Sequence, residues 1–312
     1  MNAWAETIAA GTPPRARARR FLRPGWWGPR WWGLMFVMPA VLFFAVFSVF
    51  PVFYGLWLSL TRTSLLSAGH FVGLGNYAAL PHDPLFGTAL VNTLVFVLGA
   101  TLPVWVGSLL AALLFHQRFP AREWLKTLFF LPVLPPLAVV AVVWKVLLNP
   151  TGAATWLTGW MFGREQIAWL YDTTLAPIMM VVVHDWAAVP FFMMIWLAGL
   201  ATLSPELSEA AALDGAGALR RFWYVELPQL RGTTLLVCSL STIGAFQTFV
   251  LQYVLSQDHG GPVNATLVLG LLVFKEGFQF FRMGYAAAIS VVLFLMILIV
   301  TLIQLRLSRH AA

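Results

Sequence analysis

Six long apolar stretches alternate with shorter segments that carry most of the charged residues. Each stretch can cross a hydrocarbon core as a helix, which takes about 20 residues. Prolines lie in or beside several stretches, and neighbouring helices can satisfy the backbone groups that such kinks free. The pattern predicts an all-α integral membrane protein with six transmembrane helices. The stretches are 33–58, 88–115, 125–148, 176–199, 232–256 and 284–305.

The distribution of basic residues predicts the orientation of the chain in the membrane. Cytoplasmic loops of membrane proteins are enriched in Lys and Arg. With the amino terminus inside, fourteen Lys and Arg residues fall in inside segments and four in outside loops, while Lys145 lies within the third stretch. We therefore expect both termini in the cytoplasm of a multi-pass cell-membrane protein. Residues 1–30 form a basic tail in this interpretation, and residues 31–312 form the membrane domain.

The composition excludes several other classes of protein. The chain is 60% hydrophobic and 10% charged, whereas soluble domains are about 25% charged. The net charge of +7 could indicate nucleic-acid binding, but the charges lie at the edges of apolar stretches, so the expected partner is lipid. The single cysteine, Cys238, cannot form an intrachain disulfide. The first apolar stretch is too long for a cleaved signal peptide and is expected to remain as a span.

The sequence carries no recognisable enzymatic motif. It has no GxxxxGK[ST] phosphate-binding loop, no zinc-ligand spacing and no catalytic triad pattern. We therefore expect a chain that is not an enzyme and binds no metal or cofactor of its own. If ATP drives its activity, another chain hydrolyses that ATP.

Residues 204–228, between the fourth and fifth stretches, have an internal order that a simple linker does not need. Ser204 can cap a helix whose first residue is proline. Glu206 and Glu209 complement the positive start of that helix. Gly215 suits the residue that closes it, and is expected to have a positive φ angle. The loop is therefore predicted to begin with a short capped helix.

A second short helix is expected after this glycine. Leu219, Phe222 and Trp223 fall on one face at spacings of three and four, and Pro228 is expected to end the helix. Two short helices that carry apolar residues can dock a cytosolic partner or form a lid on the protein's own helices. The residue pattern alone leaves both uses open.

The same loop resembles a known motif. It has the spacing E-A-A-x-x-D-G-A, five residues, F, four residues, L-P. This resembles the EAA motif of binding-protein-dependent ABC transporter permeases, whose loop forms coupling helices in a cleft of the ATPase subunit. The resemblance implies an ATP-coupling role. The implied coupling residues are Glu209, Ala210, Ala211, Asp214, Gly215, Ala216, Leu219, Phe222 and Pro228.

Further motifs extend this resemblance over most of the chain and towards the carbohydrate branch of the family, in particular the first permease of maltose-type and glycerol-3-phosphate-type importers. Two positions depart from the family's usual residues, Val250 in place of Asp and Thr155 in place of Asn. Both leave the substrate open. The matching segments are Phe71–Tyr77, Asn92-Thr93, Leu131-Pro132, Trp144, Trp186…Pro190-Phe191, Leu197–Leu200, Gly260-Gly261-Pro262…Thr266 and Gly284…Ala288-Ile289-Ser290.

The resemblance implies a type I ABC importer permease fold and a set of partners. These are a second homologous permease, a pair of ATPase subunits that hold ATP and magnesium, and an extracytoplasmic solute-binding protein. The implied function is the transmembrane half-channel of an ATP-driven sugar importer. Import of glycerol-3-phosphate or another polyol phosphate is the first alternative. An integral membrane enzyme of lipid or glycan metabolism is the less favoured one.

Polar and aromatic residues within the fifth stretch are candidates for contact with the substrate. Amides and hydroxyls suit sugar hydroxyls, and aromatic faces suit the C–H faces of a pyranose. Gln247 and Thr248 also align with a polar pair that contacts sugar in maltose-type permeases. Helix–helix hydrogen bonding uses the same residue types, and packing is the favoured role of Tyr253. The candidates are Phe246, Gln247, Thr248, Phe249, Gln252 and Tyr253.

Asp185 and Trp186 are the candidates in the fourth stretch. An ionisable residue within a span is a functional hypothesis, because its burial in lipid is unfavourable unless it faces a cavity or a partner. A structural role is the favoured alternative, with Asp185 paired to Lys145 or to the partner permease.

Overall fold

The structure, a computed structural model, describes residues 29–64, 67–163 and 167–310. Most of the predicted basic tail, residues 1–28, lies outside these ranges. Contacts divide the chain into two units, one up to Phe53 and one from Tyr54 onward. The described part of the first unit, from Pro29 onward, is helical, and nearly every side chain described there is exposed and apolar.

Helices form most of the described structure, as the sequence predicts. Helix α1 comprises Pro29–Phe44, a π-helical turn Ala45–Val49, and Phe50–Ser59. The only described strands form an antiparallel hairpin, β1 (Thr61–Ser64) and β2 (Ser67–Phe71). The remaining helices are α2 (Gly75–Ala79), α3 (Pro84–His116), α4 (Arg122–Phe130), α5 (Leu137–Leu147), α6 (Ala153–Phe162), α7 (Leu175–Leu200), α8 (Pro205–Leu213), α9 (Ala218–Arg221, continued by a π-helical turn Phe222–Glu226 and by Leu227–Gln229), α10 (Arg231–Phe246), α11 (Val250–Leu255), α12 (Leu269–Phe274, continued by Lys275–Gln279) and α13 (Met283–His310).

Four helices of the described chain are long and apolar enough to cross a membrane unbroken: Gly33–Ser59, Pro84–His116, Leu175–Leu200 and Met283–Ser308. They coincide with the first, second, fourth and sixth predicted stretches. The third stretch is a bent pair, Arg122–Val133 and Leu137–Leu147, with an angle of 92° between them. Pro132, Pro135 and Pro136 lie at this bend, where a missing N–H and a fixed φ prevent a continuous helix.

The fifth predicted stretch is divided into α10 and α11, so the expectation of one helix over 232–256 is wrong. The chain leaves helical geometry at Phe249, which has φ −147° and ψ −54°. Helix α12 packs against this break, because a Cβ on Gly270 would lie 2.8 Å from the Thr248 carbonyl oxygen. Helix α12 thus packs where the fifth stretch is interrupted, and the apolar pattern of the sequence gives no sign of that interruption.

Small residues bring the spans of the second unit close together. Gly99 and Gly107 of α3 face Val181 and Val189 of α7, so these two helices run in the same direction. Gly199 of α7 lies directly against Thr233, at the start of α10. Such small residues let membrane helices approach closely. The 204–228 loop therefore lies at one end of the bundle, and the first turns of α3 and α7 lie at the other.

The opposite end of the bundle is fixed by side-chain amides and hydroxyls. The Asn92 amide donates to the carbonyl oxygens of Asn264 (2.8 Å) and Leu267 (3.0 Å), and Thr93 Oγ1 accepts from Leu269 N. The Asn76 amide donates to the carbonyl oxygens of Ser59 and Thr61. These contacts give the resembling F-x-G-L-x-N-Y and N-T segments a structural role.

Gly284 permits a close backbone contact where α13 begins. A Cβ at this position would collide with the carbonyl oxygen of Thr61 and would lie 3.2 Å from that of Leu58. We expect Gly284→Ala to destabilise the protein by about 1–3 kcal/mol, because neither carbonyl can move freely. The measurement is the apparent unfolding temperature of the purified protein in detergent.

Gly232→Ala is the matched control, because a Cβ there meets no atom within 4 Å. Alanine is favoured over glycine in helices by about 1 kcal/mol, so this variant should be unchanged or slightly stabilised. Equal unfolding temperatures for the two variants would contradict the close contact.

Candidate functional site

The elbow of the 204–228 loop is a well-formed helix C-terminus at the end of α8. Gly215 has φ +82°, which confirms the predicted positive value. Gly215 N donates to the Ala212 carbonyl (3.1 Å), and Ala216 N donates to that of Ala211 (3.0 Å). These two bonds define a Schellman motif, in which glycine occupies the left-handed position. The E-A-A-x-x-D-G-A spacing thus encodes a turn of defined direction.

The second helix of the loop, α9, differs from its prediction at the carboxyl end. Helical turns continue through Pro228 to Gln229, so the expectation that this proline ends the helix is wrong. A π-helical turn, Phe222–Glu226, immediately precedes Leu227 and Pro228. Its wider hydrogen-bond spacing accommodates the missing N–H of proline without ending the helix.

The side chain of Glu226 joins the two helices of the loop. It accepts hydrogen bonds from Ser208 Oγ of α8 and from Arg221 Nε of α9, both at 3.1 Å. At the start of α8, Ser204 Oγ donates to the Glu206 carboxylate, and this bond lowers the pKa of that carboxyl group. The expected cap from Ser204 to a backbone N–H is therefore absent. Glu226 therefore links the two helices through hydrogen bonds.

The loop exposes large apolar side chains. Leu213 is 90% exposed, Leu219 74% and Tyr224 76%. A lid packed on the protein's own helices would bury such side chains, so their exposure favours the docking alternative. Of the other predicted coupling residues, Glu209, Ala210, Asp214, Gly215 and Pro228 are exposed, whereas Ala211, Ala216 and Phe222 are half-buried.

The break between α10 and α11 carries the predicted substrate-pathway residues. Gln247 caps the end of α10 and its side chain is exposed. Thr248 and Gln252 are buried, and Thr248 Oγ1 donates to Gln252 Oε1 at 2.7 Å, while Gln252 Nε2 has no hydrogen-bond partner among the described residues. Breaks in membrane helices commonly bear the substrate sites of transporters. Gln247 is the exposed residue of this group, and Gln252 lines a cavity of about 390 Å³.

The three aromatic candidates have packing roles. Phe246 is 2% exposed and lies in a core cluster with residues of α3, α5 and α7. Phe249 and Tyr253 contact each other and Phe274, with ring centroids 5.2–5.4 Å apart. The Tyr253 ring also stacks on His259 at 4.2 Å. These contacts are side-chain packing around the break between α10 and α11.

Asp185 and Trp186 face an open, largely apolar cavity of about 1230 Å³ between α7 and the bent third span. Asp185 Oδ1 lies 3.0 Å from His184 Nδ1, and Trp186 makes an edge contact with Trp144 at 5.6 Å. The proposed pairing of Asp185 with Lys145 is wrong. Lys145 Nζ instead donates to the carbonyl oxygens of Val254 (2.8 Å) and Ser256 (3.3 Å).

This use of Lys145 is a structural role that sequence reasoning missed. Its ammonium group satisfies carbonyls at the end of α11 and so attaches α11 to α5. The signal was a lysine near the end of an apolar stretch without an acidic residue at helical spacing. The carbonyls that it serves lie at the carboxyl end of α11, far away in sequence, where no local pattern points to them.

Comparison with known proteins identifies the family. Residues 103–312 match the model described as "Binding-protein-dependent transport system inner membrane component". A probable ABC transporter permease of Bacillus subtilis, YurN, is 34% identical over 87% of this chain and 94% of its own length. The arabinooligosaccharide permease AraP of Halalkalibacterium halodurans is 34% identical over 87% of this chain and 86% of its own. The lactose permease LacF of Rhizobium radiobacter is 31% identical over 89% and 94%.

The fold matches that of a solved transporter. A chain of a bacterial ABC transporter involved in the import of alginate superposes with a TM-score of 0.79, at 20% identity, over 90% of this chain and 96% of that chain. This likeness shows the ABC importer permease fold. With the family model covering well over half of the chain, the protein belongs to the binding-protein-dependent transport system inner membrane components, a family of multi-pass membrane permeases.

Proposed function

We propose that this chain is one transmembrane subunit of an ATP-driven sugar importer and is coupled to a separate ATPase through residues 204–228. The observation that carries the proposal is the exposed loop built around Gly215, with its two helices linked through Glu226, in a chain of this family. ATP and magnesium are held by the ATPase pair, and a second homologous permease completes the pathway.

The names of relatives support sugar as the substrate. The relatives include permeases for arabinooligosaccharides and lactose, and a solved neighbour is complexed with a periplasmic protein that holds an alginate pentasaccharide. Import of glycerol-3-phosphate or another polyol phosphate is not favoured by any of these names. A membrane enzyme is not favoured either, since the relatives are transport permeases.

The geometry suggests how motion of the loop reaches the substrate. Leu230 directly follows α9, is 1% exposed, and packs in a core cluster with Trp196, Leu200 and Val237. Helix α10 begins at the next residue and ends at the break that carries Gln247. Sixteen helical residues span about 24 Å at ~1.5 Å per residue. ATP-driven movement of α8 and α9 would therefore move Gln247 through one rigid helix.

The proposed arrangement has six passes and both termini in the cytoplasm. Four passes are unbroken helices, the third is bent and the fifth is broken. The excess of Lys and Arg on one side places the 204–228 loop in the cytoplasm and the β1–β2 hairpin outside.

Cysteine labelling tests the topology. In a Cys238→Ser background, Ala218→Cys and Pro120→Cys should react with a membrane-impermeant maleimide only when the cytoplasmic face is open. Leu74→Cys and Val263→Cys should react in intact cells, and their native side chains are 70% and 86% exposed. Labelling of position 218 in intact cells would contradict both the orientation and the coupling role.

Substitution of Gln247 tests the pathway. Gln247→Ala should raise the sugar concentration for half-maximal uptake about fivefold, because it removes one hydrogen bond worth roughly 1 kcal/mol. Its unfolding temperature and basal ATPase activity should be unchanged, since the side chain is exposed.

Gln252→Ala is the comparison variant. Gln252 is 1% exposed and accepts from Thr248, so its loss should lower the unfolding temperature. Unchanged uptake kinetics for Gln247→Ala would assign this residue to packing and remove it from the pathway.

Gly215→Val tests the coupling loop. A β-branched residue at φ +82° is strained, by roughly 1–2 kcal/mol or more, which corresponds to a roughly tenfold smaller population of the native elbow. We expect ATPase retention on purification and sugar uptake to fall together, while membrane insertion persists. Glu209→Ala should weaken ATPase binding less than Gly215→Val does, because it leaves the elbow intact.

Gly217→Val is the matched control, because this residue has φ −64° and ψ 162° and a Cβ there meets no atom within 4 Å. It should retain both the ATPase and uptake. Normal retention and uptake with Gly215→Val would show that the loop is not the mechanical link.

A further inference from the structure

A polar cavity of about 650 Å³ lies at the end of the bundle opposite the 204–228 loop. It is bounded by the β1–β2 hairpin, by α2 and by residues 280–285. Arg62, His70 and Arg282 are among its polar lining residues. We call it the Arg62 cavity. In the proposed orientation it opens towards the extracytoplasmic side.

The carboxylates of Asp83 and Glu276, in and near the Arg62 cavity, bind other groups of the chain. Asp83 Oδ1 accepts from Leu85 N (2.9 Å), and Asp83 Oδ2 accepts from Tyr285 Oη (2.8 Å). Glu276 is fully buried and forms an ion pair with Arg282. The one carboxylate of the described cavity lining, Asp83, is therefore engaged within the chain, and the lining carries Arg62 and Arg282, which favours an anionic occupant over a neutral sugar.

The guanidinium group of Arg62 forms no ion pair with an acidic residue of the described ranges, unlike that of Arg282. Arg62 is exposed and pairs across the hairpin with His70, which also lines the cavity. An exposed guanidinium beside an imidazole suits a carboxylate, to which arginine can bind through two parallel hydrogen bonds.

Exposed apolar side chains lie near the Arg62 cavity. Phe280 and Phe281 line it and are 54% and 42% exposed. Phe71, at the end of the hairpin, is 61% exposed. Aromatic side chains beside a charged group that complements the partner are typical of protein–protein interfaces. A small carboxylate ligand would leave these rings in water, so the combination favours a protein partner.

We propose that the Arg62 cavity receives an acidic side chain of the extracytoplasmic solute-binding protein. The proposal rests on the proposed function, because it requires a binding-protein-dependent importer. A partner bound in the Arg62 cavity would lie beside the first residues of α3 and α13. Asp83 caps the start of α3, Tyr285 lies in the first turn of α13, and Ser64 of the hairpin bridges to Arg282. Docking there contacts the starts of two spans at once.

The test measures binding of the purified solute-binding protein of the same transport system to the assembled transporter in nanodiscs. Arg62→Ala should weaken binding about tenfold at low salt and flatten the dependence on ionic strength, because an interfacial charge pair is lost. Arg62→Lys keeps the charge and should bind nearly as the wild type. Ala153→Glu makes the same change in net charge at an exposed site and should change affinity less than twofold.

The outcomes separate this proposal from the proposed function. If the wild-type transporter binds the solute-binding protein and Arg62→Ala binds it equally well, the Arg62 cavity is not the docking socket. If Arg62→Ala weakens only the sugar-loaded form, the carboxylate belongs to the sugar and docking through a protein side chain is wrong. If the wild-type transporter does not bind the solute-binding protein, the proposed function itself fails.

Discussion

The structure depends on the requirement that polar groups within the membrane find partners inside the protein, because lipid offers none. Two of the predicted crossings are interrupted, and side-chain hydrogen bonds hold both ends of α11, the second part of the fifth. Thr248 pairs with Gln252 at its beginning, where the break lies, and Lys145 donates to carbonyls at its carboxyl end. The break is thus held in a defined geometry, with Gln247 left exposed at the end of α10.

Helix α10 and the 204–228 loop are connected directly in the chain, and each has a defined internal geometry. Helix α10 is continuous from the 204–228 loop to the break, and Leu230 anchors its beginning in a dry cluster. The loop itself has fixed internal geometry, through the Schellman bonds at Gly215 and the Glu226 contacts, and an exposed outer surface. A rigid loop joined to a rigid helix can transmit a displacement, which a flexible linker cannot do.

Sequence patterns predicted the helical class, the positions of the four unbroken spans and the glycine elbow, since each follows from local composition and backbone preference. They missed features that depend on distant segments. The break near Thr248 lies against Gly270, which is far away in sequence. Lys145 binds carbonyls at the carboxyl end of α11, more than about 100 residues away in sequence, so its suggested pairing with Asp185 is wrong. Pro228 was expected to end a helix, but the preceding π-helical turn accommodates it. Phe246 was placed on the pathway by its neighbours in sequence, whereas packing buries it.

The central claim is that residues 204–228 contact the ATPase directly. A photo-cross-linking amino acid at position 219, where the native leucine is 74% exposed, tests it in intact membranes. The account predicts a covalent product between this chain and the ATPase subunit, and none from the same amino acid at position 74 on the opposite side. Absence of the product at position 219 in a transporter that imports sugar normally would contradict the account.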